Sequence, residues 1–100
     1  MALARVRMSG VAVELRTMLE AVIAGRGVKY LMMNARQSAL PAIEAILPGL
    51  ESPSVLPLAH EGMVAVHAVV AAGDVHRILV PLREAGATGI LVVPVEKLLP

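Results

Sequence analysis

The side chains that could do chemistry are few and scattered along the 100-residue sequence. There are three histidines, eight acidic residues and no cysteine, which excludes a disulfide, a thiolate zinc site and a thiol nucleophile. His60 falls in a predicted turn, His67 on a predicted strand and His76 in the first turn of a predicted helix. That spacing does not predict a shared metal site. The carboxylates are equally dispersed, with no pair that periodicity brings together as acid and base. We therefore expect no metal, no cofactor and no catalysis by this chain alone.

Motifs and charge exclude further classes of function. The sequence has no G-x-x-x-x-G-K-[ST] phosphate loop, no G-x-S-x-G elbow and no H-E-x-x-H pair. Nine basic residues against eight acidic ones, with Tyr30 as the one aromatic residue, argue against a nucleic-acid partner. The apolar runs are too short for a membrane span, and residues 1–10 lack a signal core. We expect a cytoplasmic protein with no membrane partner.

Glycine and proline divide the chain into the elements that must position these side chains. The first predicted element is a helix over 11–24, with Ser9 as its cap and Gly25 to Gly27 as its stop. A strand over 28–34, a helix capped by Ser38 and two strands over 54–58 and 63–70 follow. The last two elements are a helix that is capped by Asp74 and ended by Gly86, and a strand over 89–95. After the first helix this is the βαββαβ order of the ferredoxin-like fold. We therefore predict an α+β protein with an extra N-terminal helix and both later helices on one face of a four-stranded antiparallel sheet.

The opposite face of that sheet is predicted to need a partner. The chain is 57% hydrophobic, and a 100-residue domain has too much surface to bury that many apolar side chains. On the strand over 63–70 neither alternating set of side chains is polar enough for water. We expect self-association through this sheet face, or its contact with the first helix.

Polar side chains gather at two places where predicted strands begin or end. Asn34 is followed by Gln37 and Ser38, and Ser52 and Ser54 flank the start of the second strand together with Glu51. Amide groups at the helix start could receive a carboxylate, while Asn34 and the serine hydroxyls could accept from an ammonium group. An amino acid would fit such a site. The alternative is that Ser38 is only a cap and that the other serines only form turns.

Five stretches carry a resemblance to a known family. They are YLMMN at 30–34, LPGLESPSV at 47–55, MVAVHAVV at 63–70, AGATGILV at 85–92 and VEK at 95–97. Together they closely resemble the C-terminal regulatory domain of the long form of ATP phosphoribosyltransferase. The resemblance implies a ferredoxin-like regulatory domain over 28–100, joined by a connecting helix within 1–27 to a catalytic phosphoribosyltransferase region. Magnesium is then expected only with that catalytic region.

The resemblance also implies a ligand, L-histidine, and feedback inhibition of the first step of histidine biosynthesis. The family's histidine contacts fall on Asn34, Leu50, Ser52, Ser54, Val69 and Gly89. Histidine bound at the margin between neighbouring domains would then stabilise one arrangement of the assembly. Two other hypotheses remain: a module that oligomerises without a ligand, and a small enzyme that transfers phosphoribosyl groups without a phosphate loop.

Overall fold

The computed structural model describes residues 2–48 and 52–100, and the side chains of 9–48 and 52–100. Its elements are α1 (Ala2–Arg26), β1 (Val28–Arg36), α2 (Leu40–Ile46), β2 (Ser54–Pro57), β3 (Met63–Ala71), α3 (Val75–Glu84) and β4 (Thr88–Pro94). Single 3₁₀ turns, Gln37–Ala39 and Ala72–Asp74, lead into α2 and α3. The described chain is therefore an α+β fold, as the sequence predicts.

The four strands form one antiparallel sheet in the order β2-β3-β1-β4. β1 and β3 are the central strands and pair along their whole length, from Val28 opposite Ala71 to Arg36 opposite Met63. β2 is an edge strand that ends at Pro57, where a residue without an N–H is tolerated. Following α1, the element order is the βαββαβ order that the sequence predicts, and the sheet is antiparallel throughout.

The core lies between one face of this sheet and the helices α2 and α3. Alternate side chains of the two central strands point into it, and the helices add residues spaced three or four apart. The fully buried members are Leu31, Met33, Ile43, Val66, Val70, Ile78 and Leu82. No polar or charged side chain is buried within the described part of the chain. The core is therefore held by apolar packing alone.

Helix α1 is longer than the sequence predicts, because it begins at Ala2 and ends at Arg26. The predicted cap Ser9 lies inside the helix, whereas the helix does end within the predicted stop at Gly25 to Gly27, since Gly25 is still helical and Arg26 is the last helical residue. A Cβ atom on Gly25 would lie 2.8 Å from the backbone oxygen of Glu96 and 2.9 Å from that of Val95. Glycine in a helix costs only about 1 kcal/mol, and here it lets the C-terminal tail pack against the helix. The N–H of Leu98 then donates to the carbonyl of Ala21, over 2.9 Å.

The two predicted side-chain caps also differ from the structure. α2 begins at Leu40, after the 3₁₀ turn that contains Ser38, and it has no side-chain cap. Asp74 does occupy the N-cap position of α3, but its carboxylate accepts from the Arg77 guanidinium at 3.0 Å and not from a backbone N–H. Gly86, with φ +112°, ends α3 in a conformation that favours glycine, as predicted.

Candidate functional site

The sheet face opposite α2 and α3 carries the polar residues of interest, and we call it the open face. On β1 it presents Tyr30 and Asn34, which alternate with the buried Leu31 and Met33. On β3 it presents His67 and Val69. Ser54 of β2 is the register partner of His67 and therefore points the same way. Side chains from three strands thus meet on one surface.

A cavity of about 430 Å³ lies on the open face beside the C-terminal tail. Tyr30, His67 and Val69 of the central strands form its floor, and Ser52 and Ser54 form one side. Residues 98–100 of the tail also line it, held in place where Leu98 and Ala21 are hydrogen-bonded. No lysine, arginine, aspartate or glutamate lines this cavity among the described residues. The polar side chains among its described lining residues are therefore three hydroxyls and an imidazole.

Tyr30 and His67 form the one side-chain to side-chain hydrogen bond between strands that the described residues contain. The Tyr30 hydroxyl and the His67 Nδ1 atom are 2.9 Å apart, and the two half-buried rings pack edge to face with centroids 5.6 Å apart. We assign the hydroxyl as the donor, because the imidazole nitrogen of a neutral ring is a far stronger base than a phenol oxygen. Nδ1 is then the acceptor and Nε2 carries the ring proton.

The residues predicted to contact a ligand fall into two groups. Ser52, Ser54 and Val69 line the cavity and form the first group. Asn34 and Gly89 form the second: a Cβ atom on Gly89 would lie 3.9 Å from the Asn34 Nδ2 atom. Leu50 lies outside the described residues.

The second group sits where the register of β4 against β1 shifts, between Met32 and Asn34. Thr88 closes this irregularity by donating its hydroxyl to the Asn34 carbonyl at 3.3 Å. Strand spacing puts Asn34 about 12 Å from Ser54, two strands across and one two-residue step along the open face. The cavity beside the tail does not include Asn34 or Gly89. The two groups therefore share a face but not a cavity.

Gln37 and Ser38, which sequence reasoning grouped with Asn34, line a different cavity with Arg36, His60 and Glu61. The backbone N–H of Gln37 donates to the Gly62 carbonyl there, at 2.8 Å. Over 2–48 and 52–100, no group of three histidine, aspartate or glutamate residues is placed to hold one metal ion. None of the helices described here is long and apolar enough to span a membrane.

The fold and the open face define an α+β domain with a small cavity on its sheet. Comparison with known proteins gives its family. Residues 25–97 match the family model described as HisG, C-terminal domain. The chain therefore belongs to the HisG C-terminal domain family, as its resemblance predicts.

Similar proteins are named ATP phosphoribosyltransferase. The protein of Gemmatimonas aurantiaca is 47% identical over 88 residues, which cover 87% of this chain and 30% of the relative. The protein of Cytophaga hutchinsonii is 45% identical over 85 residues, covering 85% and 30%. The protein of Methanocella arvoryzae is 45% identical over 86 residues, again 85% and 30%. The chain thus spans about 30% of the length of the curated relatives it matches.

Proposed function

We propose that this chain is a regulatory domain that binds L-histidine and serves feedback inhibition of ATP phosphoribosyltransferase, the first step of histidine biosynthesis. The observation that carries the proposal is the cavity on the open face, where Ser52, Ser54 and Val69 come together. Its volume of about 430 Å³ falls in the usual range for a small-molecule site. Membership of the HisG C-terminal domain family supports the same ligand.

The lining suits a zwitterion with a flat side chain. The Ser52 and Ser54 hydroxyls can accept from an ammonium group, and Val69 and Leu98 supply apolar walls for an imidazole ring. Asn34 and Gly89 lie outside this cavity but on the same face. A ligand held at the margin between two neighbouring chains could meet the serines of one chain and the Asn34 group of the other.

Feedback in this proposal is a shift between arrangements of an assembly. Histidine favours the arrangement in which its site is complete, and a differential affinity of about 1–3 kcal/mol is enough to move the equilibrium. In this proposal the phosphoribosyl transfer, and the magnesium that it uses, belong to a catalytic phosphoribosyltransferase region. That region is the proposed partner of this chain. The proposed location of the chain is the cytoplasm.

Titration calorimetry with L-histidine tests the proposal on the full chain. We expect heat of binding from the wild type. Ser52→Ala and Asn34→Ala should each weaken binding by about 10-fold or more, because each removes a hydrogen bond to a charged group. Ser38→Ala, in the other cavity, is the matched control and should bind as the wild type does. No heat at millimolar histidine from folded protein would contradict the proposal.

The second candidate function is an assembly module that needs no ligand. The apolar side chains on the surface of α1 favour it: Leu15, Leu19 and Ile23 are each more than 60% exposed. Light scattering and thermal melts with and without histidine separate the two functions. The assembly module predicts the same mass and the same melting temperature in both, whereas a ligand that binds only folded protein raises the melting temperature.

A further inference from the structure

His67 has one ring nitrogen whose use is not explained by the fold. Nδ1 accepts from Tyr30, and Nε2 has no hydrogen-bond partner among the described residues. In the described part of the chain, every buried side-chain nitrogen or oxygen has a hydrogen-bond partner, so an atom without one is not buried. Nε2 of this half-buried ring is therefore accessible to solvent, and His67 is one of the residues that line the cavity.

The Tyr30 hydrogen bond decides what Nε2 can do there. With Nδ1 occupied as an acceptor, the proton of the neutral ring resides on Nε2, which can then only donate. Edge-to-face packing against Tyr30 and the hydrogen bond together hold the ring in one orientation. The cavity thus has a fixed N–H donor in its floor.

We infer that His67 recognises the carboxylate of the bound amino acid through Nε2–H, with Tyr30 as the residue that positions it. This inference rests on the proposed histidine-binding function. Among the described residues no cationic side chain lines the cavity, so within this part of the chain a carboxylate meets only uncharged donors. Ser52 and Ser54 can donate or accept, whereas Nε2–H can only donate. The carboxylate therefore pairs with His67, and the hydroxyls are left to accept from the ammonium group.

Two substitutions at His67 and two ligands test the inference in the full chain. His67→Asn keeps a polar group near the position of Nδ1 but removes the Nε2 donor, while His67→Gln places an amide N–H near the position of Nε2. The ligands are L-histidine and L-histidinol, which lacks the carboxylate. We expect His67→Asn to weaken L-histidine binding by about 10- to 100-fold and to leave L-histidinol binding unchanged. His67→Gln should restore most of the L-histidine affinity.

Controls keep structural damage apart from lost recognition. His76→Asn, on the exposed side of α3, should bind both ligands as the wild type does. If His67→Asn fails to fold, Tyr30→Phe takes its place. It keeps the ring but lets the imidazole proton move to Nδ1, so L-histidine binding should weaken several-fold and L-histidinol binding should not.

Each outcome bears on a different proposal. Equal losses for both ligands in His67→Asn, or no loss for either, would overturn the role of His67 and leave histidine binding intact. A wild-type chain that binds neither ligand would overturn the proposed function, and the carboxylate contact with it. Selective loss of L-histidine with rescue by glutamine supports both.

Discussion

Gly25 is a residue of α1 against which the backbone of the C-terminal tail packs. The backbone oxygens of Val95 and Glu96 lie within 2.9 Å of the position that the Cβ atom of any other residue would occupy. Neither contact is with the end of a flexible side chain, so neither can yield without moving backbone. The buried position of Ala21, one turn earlier, shows that the same helix edge is covered by the tail.

Gly25→Ala should therefore destabilise the chain by about 1–3 kcal/mol, the usual cost of forcing an extra methyl group into a packed site. Gly10→Ala is the matched control in the same helix, because nothing lies within 4 Å of a Cβ atom there. It should stabilise by about 0.5–1 kcal/mol through helix propensity. Urea denaturation followed by circular dichroism measures both, and effects of the same sign would contradict the tail contact.

At the scale of elements, α3 is the helix with the clearest division into a buried side and an exposed side. Leu82 and Ile78 are buried against the sheet, with Leu82 wholly inaccessible, while Val80 on the other side of the helix is about half exposed. Pro81 also lies on the exposed side. The helix thus depends on one apolar stripe for its contact with the sheet.

Leu82→Ala should lower the free energy of unfolding by about 2–5 kcal/mol, because it leaves a cavity in the core. Val80→Ala in the same helix should change it by no more than about 0.5 kcal/mol, since the side chain is on the surface. Thermal and urea unfolding of the two variants provide the measurement. Comparable losses would mean that α3 is covered on both sides.

The order of the elements could be predicted from the sequence because each has its own local signal. The Leu82 and Ile78 stripe, the alternation in β3 and the glycines at strand ends depend on residues close in the chain. The caps could not be predicted in the same way. Ser38 is a residue type that commonly caps helices, but it lies inside the 3₁₀ turn Gln37–Ala39. The N-cap position of α2 is therefore occupied by Ala39. The contact of Gly25 with the C-terminal tail could not be predicted either, because the tail is some 70 residues away in the chain.

The candidate site was only partly predictable for a similar reason. Ser52, Ser54 and Val69 are ligand contacts that the family resemblance predicts, and all three line one cavity in the structure. The hydrogen bond between Tyr30 and His67 depends on the register of β1 against β3, which sequence spacing alone does not determine. The side of the cavity formed by residues 98–100 depends on the packing of the tail against Gly25. Local sequence carries no signal for that contact.

At the scale of the whole molecule, the described chain is elongated. Its radius of gyration is 18.5 Å and its longest dimension 64 Å, whereas a compact 100-residue domain has a radius of gyration of about 13 Å. α1 accounts for the difference, since a 25-residue helix extends about 37 Å and is exposed over residues 9–20. Leu91, on the open face, is 57% exposed as well. Apolar surface is thus concentrated away from the α2 and α3 side.

If the open face associates with a second copy of the chain, Leu91→Glu should reduce the mass measured by light scattering, because a charge would be placed in an apolar contact. Val80→Glu is the control: Val80 is exposed to a similar degree, but it lies on the α3 side of the sheet. That variant should keep the wild-type mass. A change in mass with Val80→Glu alone would place the contact on the helices.

Tyr30 gives the cavity a further property. The chain has one tyrosine, no tryptophan and no phenylalanine, so every photon of its intrinsic ultraviolet fluorescence comes from a single ring. That ring is hydrogen-bonded to His67 and borders the space between Ser52 and the tail. The unlabelled protein thus carries an optical reporter at its candidate site, and its emission can follow occupancy of that site in real time.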